Sequence, residues 1–225
     1  MSLLLQVALT NGSDSTAPAQ EISLLDLVMK GGVIMIPIAI LSIIAIYLII
    51  ERFLYLRKAT KINAHNMMVL KDKLKSGNVK DASAMCKSTN TAWGRIFGHG
   101  VSMVGHKMED IEKRVEDSAA IEMSKMERNM TYLNLIAGVA PLLGFIGTIA
   151  GVIKIFYKIS ITADISIGNI SEGLYEKMIT SAAGLLVGII AFAGYHILNT
   201  MIDRFAARIQ ENALSFKSTL QNVEE

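Results

Sequence analysis

Residues 132–153 carry no charged side chain, and the apolar run that holds them extends over 132–157. A helix crosses a bilayer with about 20 apolar residues, so this run is long enough to span one. At its centre lies Ala140-Pro-Leu-Leu-Gly-Phe-Ile-Gly-Thr-Ile-Ala-Gly151, in which Thr148 is the only polar side chain. Gly144, Gly147 and Gly151 recur at spacings of three and four. That pattern cuts a groove along one helix face and lets another helix backbone approach closely. On this stretch alone two readings of Thr148 stand: a hydroxyl satisfied by a carbonyl one turn back beside packing glycines, or a hydroxyl placed at a helix contact for a purpose.

The composition agrees with a membrane chain. Of 225 residues 52% are hydrophobic and 19% charged, and the mean hydropathy is +0.42, which is unlike a soluble domain. A net charge of +2 gives no footing for nucleic acid. The single Cys86 permits no intramolecular disulfide. Three prolines and few aromatics suit long helices, and an all-α membrane protein is expected.

Along the chain, residues 1–20 open on the apolar Leu3-Leu-Leu-Gln-Val-Ala-Leu9 and continue as a polar, turn-rich stretch. Ala17-Pro-Ala19 resembles a small-residue cleavage site, but no basic side chain precedes the apolar run, so a periplasmic segment and a cleaved one both stand. Residues 21–30 place Ile22, Leu24, Leu25 and Val28 at helical spacing beside Glu21 and Asp26, an amphipathic helix suited to the membrane interface. A first span is expected over 31–50, kinked at Pro37 and ended at Glu51-Arg52. Residues 51–131 form a polar helical domain with turns at Lys75-Ser-Gly-Asn78 and Ser88-Thr-Asn-Thr91. No breaker follows Glu109, so one helix from about Met108 to Ile155, on the order of 70 Å long at 1.5 Å per residue, is expected to run from this domain into the second span at 132–157. A loop at 158–175, a third span at 176–198 with Gly184 and Gly188 one turn apart, and a C-terminal helix at 199–225 complete the chain.

Charge sets the expected orientation. Residues 51–131 hold fifteen of the 22 Lys and Arg residues and the C-terminal tail three more, leaving only Lys30, Lys154, Lys158 and Lys177 elsewhere. The basic side is cytoplasmic, so the N-terminus is expected outside and the C-terminus inside. The second span then leads outward and the third inward, which sets Thr148 and Ser181 in the outer half of the bilayer within about a turn of one level. Thr180 stands beside Ser181. Glu176 has two readings: a solvated cap favoured by the helix dipole, or a carboxyl in a wet cavity with a raised pKa. His196, near the inner end of the third span, reads as a packing or interfacial residue, and Lys154 and Lys158 as snorkelling outward. No ionisable residue sits unambiguously at mid-membrane, so a proton path would need a partner's carboxylate. There is no His-Glu metal pattern, no Ser/His/Asp set and no cysteine in a span. No catalytic site, metal or cofactor is expected, and the chain is not read as an enzyme.

The run from Ala140 to Phe156, and Gly173-Leu-Tyr-Glu-Lys-Met-Ile-Thr-Ser-Ala-Ala-Gly184, resemble the two signatures of the MotA/TolQ/ExbB proton-channel family. Three spans with a large cytoplasmic segment after the first are similar to its ExbB/TolQ branch. The resemblance implies a ring, a pentamer, whose pore is lined by spans two and three. The pore holds the single transmembrane helices of ExbD-like subunits, whose aspartate carries the proton. It implies pore roles for Thr148, Glu176 and Ser181, with Thr180 beside them; the helix-packing roles of Gly144, Gly147, Gly151, Gly184 and Gly188 rest on their spacing. A proline common in the family's third span is replaced by Ile190, which leaves the bend of that helix open. It also implies a bacterial inner-membrane motor that uses proton-motive force to drive a TonB-like protein serving outer-membrane transport. A TolQ-like role or another stator, and a membrane scaffold without channel activity, are the rival expectations.

Overall fold

The computed structural model describes residues 32–162 and 167–224; the side chains of Glu176, Glu172 and Asn169 are among those outside the description. The expectations for residues 1–30 therefore lie outside the described residues. Among the described residues seven helices follow one another: α1 (Met35–Ala59), α2 (Ala64–Lys75), α3 (Val79–Ser88), α4 (Ala92–Val101), α5 (Met108–Glu127), α6 (Met130–Thr162) and α7 (Ile167–Glu224). Among the described residues there is no strand. Among the described residues three helical stretches are long and apolar enough to cross a membrane: Met35–Ala59, Met108–Ile161 and Gly173–Asn222. The chain is an all-α, multi-pass membrane protein.

The polar helices begin and end where their sequence supplies caps. Asn63 accepts a hydrogen bond from the His65 amide at 3.1 Å, Asn78 from the Asp81 amide at 3.3 Å and Thr91 from the Gly94 amide at 3.3 Å. Each satisfies a donor that the first helical turn leaves unpaired. Both expected turns fall between helices, after Lys75 and after Ser88. Gly77, with φ of 72°, supplies the left-handed residue that ends α2. Glu109 and Asp110 occupy the first turn of α5, where the helix dipole favours negative charge.

Three expectations about continuity change. First, the helix expected from Met108 to Ile155 is broken: Arg128 is extended (ψ 134°) and Asn129 left-handed (φ 68°). Asparagine tolerates that region better than most residues, which is why a sequence without Gly or Pro can still turn here. Second, Pro37 does not kink α1, because the helix starts at Met35 and a first-turn proline lacks only an N–H that would have no helical partner. Beyond the apolar span, α1 runs on as a helix to Ala59. Third, α6 reaches Thr162 and α7 begins at Ile167, so the segment expected as a loop at 158–175 is helical on both sides of 163–166. α7 passes Ile190 and continues to Glu224 without interruption, as the helical pattern beyond the third span implies. At 58 residues it is roughly 87 Å long.

The long α7 organises the packing. α6 runs antiparallel along it, α1 and α2 pack against it, and α5 lies along its C-terminal half. In that half the core is dense: Trp93 and Phe97 of α4 stack at 5.1 Å, and Phe97 meets Phe216 of α7 edge-on at 5.6 Å. Leu56, Leu70, Ile111 and Phe205 fill in around them, all buried. The membrane part is thinner. Leu142, Phe145, Ile149 and Ile153 on α6 and Leu185, Ile189 and Phe192 on α7 remain exposed in the single chain.

Candidate functional site in the α6–α7 seam

Glycine sets the distance between α6 and α7. A Cβ on Gly144 would stand 3.1 Å from the Cα and carbonyl oxygen of Ser181. One on Gly184 would stand 2.6 Å from the Ala140 carbonyl oxygen. Toward the C-terminal end of α6, Gly147 lies under the methyl of Thr180 and Gly151 under the aliphatic stem of Lys177. Toward the N-terminal end of α6, Gly188 faces the Pro141 ring. Pro141 lacks the N–H that would have bonded the Ala137 carbonyl, and a Cβ on Gly188 would stand 3.2 Å from that oxygen. All five glycines expected to pack helices therefore lie in one seam.

The hydroxyls divide into two kinds. Thr180 is completely buried, with its methyl in the seam against Gly147. Thr148 and Ser181 are half-buried and flank the seam. At about 100° per residue, Thr148 lies roughly 60° round α6 from the centre of its glycine face, and Ser181 roughly 60° round α7 from the face of Lys177, Thr180, Gly184 and Gly188. Because the helices are antiparallel, turns of the same sense put both residues on the same flank. Gly144 stands opposite Ser181 and Gly151 opposite Lys177, so Thr148 and Ser181 differ in level by no more than about one turn. The Thr148 hydroxyl donates to the Phe145 carbonyl at 2.6 Å, leaving its oxygen lone pairs to accept. The Glu176 side chain lies outside the described residues. His196 is exposed and contacts the rings of Phe192 at 4.3 Å and Tyr195 at 5.3 Å.

Sequence reasoning missed a charged cluster below the seam. Glu122 of α5 is 4% exposed and accepts hydrogen bonds from Arg95 of α4 at 2.5 Å and from Lys125 at 2.7 Å. Arg52 of α1, also buried, is bound by Glu51 at 2.6 Å, donates to the Lys125 carbonyl at 3.4 Å and lies over the Tyr55 ring. Burial opposes ionisation of Glu122, but the hydrogen bonds and charges of Arg95 and Lys125 outweigh it and hold the carboxyl below its usual range. The hydrogen bond to Glu122 in turn raises the Arg95 guanidinium. This cluster ties the end of the first span to α4 and α5 directly beside the break at Asn129. Its members are ordinary surface residue types in the sequence, and only a predicted contact between α4 and α5 would have singled them out.

Three long apolar helices, two of them joined by a glycine seam with hydroxyls on one flank, define a helical membrane protein with a polar track beside its tightest helix pair. Residues 88–211, more than half of the chain, match the model of the MotA/TolQ/ExbB proton channel family, and the chain belongs to that family. It is 28% identical over 182 residues to the putative biopolymer transport protein ExbB homolog of Methanothermobacter thermautotrophicus, covering 80% of this chain and 64% of that one. It is 29% identical over 204 residues to the putative biopolymer transport protein ExbB-like 1 of Synechocystis, covering 86% and 79%. To the biopolymer transport protein exbB1 of Vibrio cholerae it is 33% identical over 121 residues, covering 51% and 53%. The resemblance seen in the sequence to the ExbB-like branch is thus supported by relatives of that name.

Proposed function

We propose that this chain is the channel-forming subunit of an inner-membrane motor that uses proton-motive force to energise biopolymer transport. In this reading several copies, five by resemblance, form a ring around the single-span helices of an ExbD-like partner. A TonB-like protein receives the force. The N-terminus faces the periplasm and residues 51–131 and 199–225 lie in the cytoplasm. The observation that carries the proposal is the placement of Thr148 and Ser181 on the same flank of the α6–α7 seam, at nearly one level, in a chain of a proton-channel family. The exposed apolar faces of α6 and α7 support both lipid and neighbouring copies as their cover.

The chemistry follows from what each group can do. A partner carboxylic acid entering the ring donates its one O–H to a lone pair of either the Thr148 or the Ser181 oxygen; when it loses its proton, both hydroxyls can turn and donate to the carboxylate. For Thr148 that turn breaks the bond to the Phe145 carbonyl, so the two protonation states of the partner select two rotamers. Thr180 and the glycines hold the track in register, and Glu176 stands at its outer end.

The test is proton flux in proteoliposomes carrying the chain with and without its ExbD-like neighbour, under an imposed potential and pH gradient. Flux that requires the partner and falls with Thr148→Val and with Ser181→Ala is the expected result. An intact complex with unchanged flux in both variants would remove the hydroxyls from the path.

A further inference from the structure

Outside the membrane segments, two surfaces of the chain complement each other and do not meet. The first is a groove of about 570 Å³ between α5 and α7, walled by apolar side chains that include Val115, Ala119, Ala213 and Phe216. Its α5 rim is acidic: Glu112 is bound by Lys217, and Glu116, one turn on, is exposed at the same opening. Glu109 precedes Glu112 by three residues on that face. The second surface is the outer face of α2. There Met67, Leu70 and Leu74 are buried, whereas Met68 is 64% exposed. Lys71 and Lys75 follow Met68 by three and seven residues, which places them on its face. α2 holds three lysines against Asp72 alone, and α5 holds seven acids against three bases.

α2 and α5 both lie against α7 without extensive packing on each other, and no α2 residue lines the groove, so within one chain the basic face is not seated in the acidic groove. Two different, mutually complementary patches on separate flanks make a head-to-tail contact between copies, which closes into a ring when the rotation allows. An apolar opening bordered by acids selects an apolar knob bordered by bases. We infer that the α5–α7 groove of one copy receives α2 of the next, with Met68 seated among the groove's apolar walls and Lys71 and Lys75 facing Glu116 and Glu109. The contact deepens the ring reading given above by specifying which surfaces join neighbours on the polar side.

The experiment is disulfide trapping of the full chain, co-expressed with its partner in membranes, as a Met68→Cys/Ala120→Cys double variant; Ala120 lines the groove and is exposed. Cys86 is buried and stays silent. Oxidation is expected to give a ladder of covalent multimers on a non-reducing gel, absent from either single variant. Glu116→Lys is expected to lower the ladder yield several-fold, and adding Lys71→Glu to restore it. The inference is overturned if the double variant stays monomeric on the gel while the native mass in detergent shows a multimer. That outcome leaves the ring standing and removes this contact from it. A native mass of one chain would overturn the ring and the contact together. Failure of Lys71→Glu to rescue Glu116→Lys, or covalent dimers through Leu214→Cys alone with no ladder from the double variant, would also sink the head-to-tail contact.

Discussion

Gly184 and Gly144 face each other across the α6–α7 seam so closely that a Cβ on Gly184 would stand 3.0 Å from the Gly144 Cα and 2.6 Å from the Ala140 carbonyl oxygen. The obstacle is backbone on a second helix, so it cannot turn aside as a side chain would. Gly184→Ala is expected to push the helices apart and to destabilise the chain by about 1–3 kcal/mol, the usual range for overpacking. The seam carries the proposed track, so proton flux should fall as well. Gly138 of α6, with nothing within 4 Å of its Cβ position, provides the control: Gly138→Ala should leave the melting temperature in detergent and the flux close to wild type.

Asn129 is the one non-glycine residue with positive φ among the described residues. An L-residue with a larger side chain is strained there by about 1–2 kcal/mol. Asn129→Gly should be near neutral or slightly stabilising, and Asn129→Val should lower thermal stability by about that amount. The valine variant should also favour fusion of α5 and α6 into one rod, which increases the distance between spin labels at Glu116 and Tyr132. An unchanged distance and stability in Asn129→Val would mean that the break is held by its surroundings and not by the residue.

Glu122 makes stability depend on acid. Its carboxyl is held below the usual range in the folded chain. The stabilisation is therefore fully present above the unfolded pKa, near 4.3, and is lost as pH falls through the lower folded value. Melting curves in detergent from pH 7 down to about 3 should show a drop in the wild type that is shallower in Glu122→Gln. At neutral pH, Arg95→Ala is expected to cost about 2 kcal/mol, because it removes a charged hydrogen bond from a buried carboxylate.

Much of this architecture is legible in one sequence because membrane crossing imposes a long uniform signal. The charge-free run at 132–153, the glycine spacings and the turns after Lys75 and Ser88 each rest on local rules, and they reappear at those places. What escaped was decided by tertiary context. Thr180 and Ser181 are adjacent hydroxyls, yet only Thr180 is completely buried in the seam. That division depends on which way α7 is turned against α6. The break at Arg128-Asn129 carries no proline or glycine to mark it. Arg52 and Glu122 are buried because charges distant in sequence meet them, and no single window of residues contains that pairing.

Burial pushes the Cys86 thiol up to about 11, and the side chain is 1% exposed. At pH 8 almost none of it is thiolate, the form that reacts. Iodoacetamide or a maleimide should leave the folded chain unlabelled over hours and label it fully after denaturation. Rapid labelling of the native protein would mean that the α3–α4 packing around Gly94 opens readily.

The donor role of Thr148 is already occupied in this structure, by the Phe145 carbonyl at 2.6 Å, whereas its lone pairs are the part offered to a ligand. Thr148→Ser keeps the oxygen and its proton and loses a methyl; Thr148→Val keeps the shape and loses both. If the oxygen serves the proton path, the serine variant should conduct within about threefold of wild type. The valine variant should then fall by about tenfold or more, since a lost hydrogen bond of about 1.4 kcal/mol in a transition state is a factor of ten in rate. If instead the threonine only packs, valine should conduct normally and serine should be the weaker of the two, through the lost methyl. Flux measured for the two variants at equal assembly separates these outcomes in opposite directions.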